Sequence, residues 1–147
     1  MSPLTKTSTL AEDADFVISL SADPAGAEAA LRGLGYQQLG GTYRHDSNAF
    51  TVEFPPGPLG IGDDLDLSYD TVGRGDELLY IISRTDCVRD RLAAFYFFND
   101  RSALKAAVGV AASGTIDLPK IERWSTAEDQ ASRFGEFRRS LEVPRHD

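Results

Sequence analysis

The sequence predicts an α+β fold, a small mixed β-sheet in the N-terminal half packed by helices in the C-terminal half. Strand-like segments dominate the first 83 residues, and from there capping signals delimit successive helices. The two kinds of segment are segregated along the chain rather than alternating, as βαβ units would require. At 147 residues the chain reads as one domain, 1–147, with a strand-rich part at 13–83, a helical part at 84–141 and a mobile tail at 142–147.

The elements follow in order. DFVISL, residues 15–20, is a short strand bounded by charge on one side and Ser-Ala-Asp-Pro on the other. Asp23 as N-cap and Pro24 at the first helical position start a helix that runs through AGAEAALRGL and stops at Gly35. YQQLGGTYRHDSNAFTVEF reads as two or three strands, with turns at Gly40-Gly41 and His45-Asp46-Ser47-Asn48. PPGPLGIGDDLD is an irregular loop. ELLYIIS, residues 77–83, is the clearest strand, preceded by the turn Gly73-Arg74-Gly75-Asp76. Thr85 or Asp86 then caps a helix through CVRDRLAAFYFFN, and Asp100 caps a second through RSALKAAVGVAAS, ended by Gly114. A short segment around LPKIERW follows. Ser125 and Glu128 form a capping box for a last helix reaching about Leu141.

Composition narrows the function. Hydrophobic residues make up 41% and charged residues 26%, ordinary for a globular domain. No window has the roughly 18 apolar residues of a membrane helix. The N-terminal stretch lacks an apolar export core, so a cytoplasmic location is expected. A lone cysteine, Cys87, excludes an internal disulfide and a cysteine-built zinc site. With 15 basic and 23 acidic residues the net charge is −8, which argues against a broad DNA-binding surface but leaves room for a local basic pocket. The arginines do cluster, as Arg84, Arg89, Arg91 and Arg101, and as Arg133, Arg138 and Arg139.

Three features carry possible chemistry. Asp13 and Asp15 are two apart, so a strand places both carboxylates on one face while Phe16, Ile18 and Leu20 take the other. Like charges so placed repel unless a cation sits between them, and such oxygens suit Mg²⁺. An acidic strand end at the surface is the plainer reading of the pair alone. In NAFTVEF, a core face of Phe50, Val52 and Phe54 leaves Glu53 on the opposite side, where it would complete a carboxylate trio if the two strands are neighbours. It is otherwise the polar half of an amphipathic strand. In RTDCVRDRLAAFYFFNDR, Asp86, Arg89 and Asp90 share a helix face, and the arginine fork matches phosphate oxygens bidentately. Intrahelical ion pairing is the competing role.

These stretches, LAEDADFV, TVEFPPGPLGIGD, TDCVRDRLAAFYFFNDR and IERWS, resemble a group of small bacterial nucleotidyltransferase-like proteins. The group lies within the polymerase-beta-like superfamily, near its toxin–antitoxin and abortive-infection branches. The resemblance spans about Ala11 to Phe137, and its most specific part is the cysteine-containing helix motif. It implies a nucleotidyltransferase-like fold and Mg²⁺-dependent transfer of a nucleoside monophosphate from an NTP to a hydroxyl acceptor. Asp13 and Asp15 would hold Mg²⁺, Glu53 would be the third catalytic acid, and Arg89 would bind the triphosphate. Asp90, Arg91, Asp100 and Arg101 match further recurrent polar positions and are assigned to substrate binding. These proteins normally carry a Gly-Gly or Gly-Ser turn before the Asp-x-Asp, and no glycine precedes Asp13. The expectation is that either the start lies further upstream or the chain is a shortened member with part of the phosphate cradle missing. An alternative function follows: a catalytically inactive nucleotide-binding or protein-interaction module of toxin–antitoxin type. Its partners would be an NTP, a second copy, or a cognate toxin or antitoxin. A third possibility is an unrelated domain whose acidic pairs are solvated surface.

The remaining candidates are bland. His45 and His146 are the only histidines, too few for a His-rich metal site, and His45 sits in a turn-like segment. Cys87 and Trp124 read as packing residues. Gly57–Gly62 is no dinucleotide fingerprint, because no helix signal follows it.

Overall fold

The computed structural model describes residues 13–18, 23–56 and 60–143. Its elements are β1 (Asp13–Asp15), α1 (Pro24–Gly33), β2 (Tyr36–Leu39), β3 (Thr42–His45), β4 (Asn48–Glu53), β5 (Tyr69–Arg74), β6 (Glu77–Ile82), α2 (Arg84–Phe98), α3 (Arg101–Ala112), α4 (Leu118–Ala127) and α5 (Ala131–Glu142). The class is α+β, with strands before Ser83 and four helices after it. The chain gathers into two compact units, 1–59 and 60–147. Expectations for Leu20, Gly57–Leu59, His146 and the end of the tail lie outside the described residues, as do those for the segment before Asp13.

The first unit is a four-stranded sheet in the order β1-β4-β3-β2. It is mixed because β1 runs parallel to β4, while β3 pairs antiparallel with both β2 and β4. The two tight turns are those the sequence marks, Gly40-Gly41 and Asp46-Ser47. Parallel pairing needs a longer crossover, and the segment that includes α1 lies between β1 and β2. Asp23 accepts the Ala25 N–H at 3.0 Å as N-cap, with Pro24 in the first turn. After α1 the chain turns at Gly35, φ +95°, where a Cβ would lie 2.7 Å from His45 Nε2. That approach lets His45 Nε2–H donate to Leu34 O at 3.0 Å, while Nδ1 accepts from Ser47 N–H. On one sheet face Tyr43 and Val52 are register partners and both are buried. Phe54 meets Tyr43 edge-on at 5.7 Å, and Phe16 lies 6.2 Å from Phe54.

Two expectations are corrected here. The strand expected at 15–20 is β1, Asp13–Asp15, and among the described residues that follow it Phe16 N–H to Glu53 O, at 2.9 Å, extends the pairing. Phe50 does not join the core face; at the turn end of β4 it is 45% exposed.

The second unit opens with a short turn in which Ile61 and Asp64 bond each other, then the hairpin β5–β6. β6 is the strand expected from ELLYIIS. Its partner β5, YDTVGR, has weak strand signals, and the two form a separate two-stranded sheet rather than joining the larger one. A continuous apolar run such as LLYII reads as a strand covered on both faces, yet Leu78, Leu79, Tyr80 and Ile81 are all exposed.

Helix starts follow side-chain acceptors. Ser83, not Thr85 or Asp86, caps α2: its Oγ accepts the Asp86 N–H at 3.1 Å. Asp100 caps α3 as expected, accepting from Ser102 and Ala103. The LPKIERW segment is a full helix, α4, capped by Asp117. Ser125 therefore lies inside α4 and caps nothing; it is buried, sharing a 2.8 Å hydroxyl hydrogen bond with Tyr96. α5 starts after Gln130 without a side-chain cap. The core joins Val88, Leu92 and Phe95 of α2 to Leu104 and Ala107 of α3, Ile121 of α4, and Phe134 and Phe137 of α5. Arg133 Nη1 ties α5 to α2 by donating to Phe95 O at 2.6 Å. Among the described residues no helix is long and apolar enough to cross a membrane.

Candidate functional site

In the first unit the strand register brings two of the three expected acids together. Asp15 of β1 is the parallel partner of Glu53 of β4, and Thr42 of β3 is Glu53's partner on the other side. Partnered residues project from the same face of a sheet whose strands lie about 4.8 Å apart. Asp15, Glu53 and Thr42 thus form a row, opposite in face to the neighbouring row that holds buried Val52 and Tyr43. Thr42 Oγ1–H donates to Glu53 Oε1 at 3.1 Å and fixes that carboxylate, which is half-buried, while Asp15 is exposed. Asp13 partners Thr51 in the backbone register, and its side chain is outside the described residues.

Two neighbouring carboxylates match what Mg²⁺ takes from a protein, one or two acidic oxygens with the rest supplied by phosphates and water. Among the described residues no group of three or more His, Cys, Asp or Glu side chains converges as a metal cage would require. Asp15 and Glu53 present oxygens of that kind on one sheet face.

In the second unit Arg89 is the organising group. It is fully buried on α2, donating from Nη1 to Asp86 Oδ1 at 2.7 Å and from Nη2 to Asp64 Oδ2. Asp86 is also fully buried; its Oδ2 accepts the Ser68 N–H at 2.6 Å, and Lys120 Nζ lies 3.4 Å from its Oδ1. Burial pushes the Asp86 carboxyl up, but the Ser68 amide, Arg89 and Lys120 outweigh it and hold its pKa below the usual carboxylate range. Asp64 is held low chiefly by the Asp66 amide and then by Arg89. Arg89 Cζ lies 5.1 Å from the centroid of the Trp124 ring, against which Tyr96 stacks at 5.5 Å. Burial raises the Tyr96 phenol to about 12, despite the opposing Ser125 hydrogen bond.

A cleft of about 510 Å³ opens beside this cluster, lined by Asp63, Asp64, Arg89, Lys120, Arg123, Trp124, Ala127 and Glu128. Asp90, Arg91, Asp100 and Arg101 are not among its lining residues. Asp90 and Arg91 pair with each other at 3.3 Å on the surface, and Asp100 is occupied as the α3 cap. Arg101 pairs with Glu136 at 2.6 Å and lies over the Phe95 ring, fastening α3 to α5. Ser102 first, and Arg91 more weakly, lower the Asp100 pKa. Cys87 is half-buried and its thiol is pushed up by desolvation, the opposite of a reactive thiolate.

Sequence reasoning names Arg89 and its helix neighbour Asp86 but not Asp64 or Lys120 beside them. One signal was available: Lys120, Arg123, Trp124 and Ala127 stand at i, i+3, i+4 and i+7, which places them on one face of a helix. Asp64 carries no comparable signal, because its partner is 25 residues away. No protein-family model, curated protein or solved structure matches the chain.

Proposed function

We propose that the chain is a nucleotidyltransferase-like protein that binds an NTP with Mg²⁺ and transfers a nucleoside monophosphate to a hydroxyl acceptor. The observation that carries the reading is the register Asp15↔Glu53, which sets two acids from separate strands side by side. Asp15 and Glu53 would hold the cation, with Asp13 the third candidate ligand on the same strand. Thr42 holds the Glu53 carboxylate by donating to it, and Glu53 would also help to take the proton of the acceptor hydroxyl. Bound there, Mg²⁺ would neutralise charge on the transferring phosphoryl group.

A ligand that binds only the folded state raises its melting temperature. ATP, GTP, CTP or UTP should therefore stabilise the protein with Mg²⁺ and not with EDTA, and Asp15→Asn or Glu53→Gln should remove the shift. Equal stabilisation with and without the metal would remove the transferase reading.

A second reading is favoured by the state of Arg89. Its two terminal nitrogens are already committed to Asp86 and Asp64, so the two-pronged grip on a triphosphate expected of it is not available. A catalytically inactive nucleotide-binding or interaction module, joined to a second copy or a toxin–antitoxin partner, would need no such arginine. It predicts a stable assembly by light scattering and no metal-dependent shift.

A further inference from the structure

We propose that the cleft formed by the 61–64 turn, α2 and α4 binds a small polar molecule through a phosphate or carboxylate group, held by Arg89, Trp124, Lys120 and Arg123. The site lies wholly in the second unit and does not rest on the Asp15–Glu53 pair.

Two unsatisfied donors lead to it. Arg89 Nε and Trp124 Nε1 are both buried and neither has a hydrogen-bond partner, although the other polar atoms of the cluster are engaged. A buried N–H left without an acceptor is costly, and native interiors rarely tolerate one. Here two occur on residues in contact, and both residues line the same cleft. Both can only donate. Whatever completes the site must therefore bring acceptor oxygens, which an oxyanion supplies in a compact group.

The surrounding charges refine the ligand. Arg89 and Lys120 are balanced by Asp86 and Asp64. That leaves Arg123 as a cation at the rim, with Asp63 and Glu128 as acids. Glu128 is close because Gly62, at φ +59°, lets the turn approach it: a Cβ there would lie 2.6 Å from Glu128 Oε1. A bare multivalent anion would meet these acids unfavourably. A ligand with its oxyanion toward Trp124, Lys120 and Arg123, and a hydroxyl or amino donor toward Asp63 and Glu128, satisfies both ends.

Trp124 is the only tryptophan in the chain, so its fluorescence reports on this site alone. The full chain is titrated in EDTA with phosphoethanolamine, inorganic phosphate and acetate. A saturable change is expected, strongest for phosphoethanolamine. Phosphate outperforming acetate assigns a phosphate ligand, and the reverse a carboxylate. Lys120→Gln and Arg123→Gln should each weaken binding about tenfold, as loss of one charge-assisted hydrogen bond does. Trp124→Phe, followed by thermal shift, should abolish ligand stabilisation while circular dichroism stays native. No saturable change with any probe overturns the proposal, as does full binding by Lys120→Gln/Arg123→Gln. Because EDTA is present throughout, failure here leaves the metal-nucleotide reading untouched, and failure of that reading leaves this site untouched.

Discussion

Asp86→Asn isolates the buried ion-pair cluster with almost no change of shape. The wild-type carboxylate receives three donors: Arg89 at 2.7 Å, the Ser68 amide at 2.6 Å and, more weakly, Lys120 at 3.4 Å. Asparagine keeps one acceptor oxygen, turns the other into a donor facing donors, and leaves Arg89 with Asp64 as its only counter-charge. Removing one partner of a buried pair costs about 3–5 kcal/mol. The surviving Asp64 contact places this case at the lower end, about 3 kcal/mol. For a chain of this size that is a melting-point drop of about 6–12 °C, at about 2–4 °C per kcal/mol. Urea unfolding followed by Trp124 fluorescence at neutral pH measures it directly. Asp64→Asn is the control: its side chain is 34% exposed, so it should cost less than half as much. The pH dependence has a definite sign. The folded Asp86 pKa is lowered, so the unfolded chain binds more protons there. The wild-type advantage over Asp86→Asn is then complete above the ordinary carboxylate range, near pH 4, and shrinks as pH falls through the folded value. A loss under about 1 kcal/mol, or one that does not diminish in acid, would refute the claim that this cluster is held by charge.

Three more outcomes follow from the packing. Leu92→Ala, at a fully buried position of α2, should cost about 2–5 kcal/mol in urea unfolding. Tyr96→Phe should cost about 1–2 kcal/mol by stranding the Ser125 hydroxyl, and the double variant with Ser125→Ala should lose less than the two single losses added; in an ultraviolet titration one of the five tyrosines should ionise only near pH 12. Asn99 holds the left-handed conformation at φ 51° between α2 and α3, so Asn99→Gly should be nearly neutral by thermal melting while Asn99→Val loses about 1–2 kcal/mol.

What was legible in the sequence was local. Asp23-Pro24, Asp100 and the two tight turns announce themselves within four residues, because capping and turn chemistry act over that range. The Glu53 side of its strand was legible too, since alternation is a property of β4 alone. The neighbour of Glu53 was not, and the parallel pairing to β1 had to be posed as a condition. The misreadings have the same origin. Ser125-x-x-Glu128 satisfies a capping pattern, but Ser125 faces Tyr96 across the helix packing and so belongs to the interior of α4. Arg89 has the residue type of a phosphate ligand, and helix spacing correctly gave it Asp86. Spacing cannot reveal Asp64, Lys120 or Trp124, which reach Arg89 only once α2, α4 and the 61–64 turn have packed. The same packing changes what Arg89 can do. Its terminal nitrogens are consumed by carboxylates of its own unit, so the arginine works by holding the cluster together. Its remaining donor, beside that of Trp124, is then the part still able to answer a ligand.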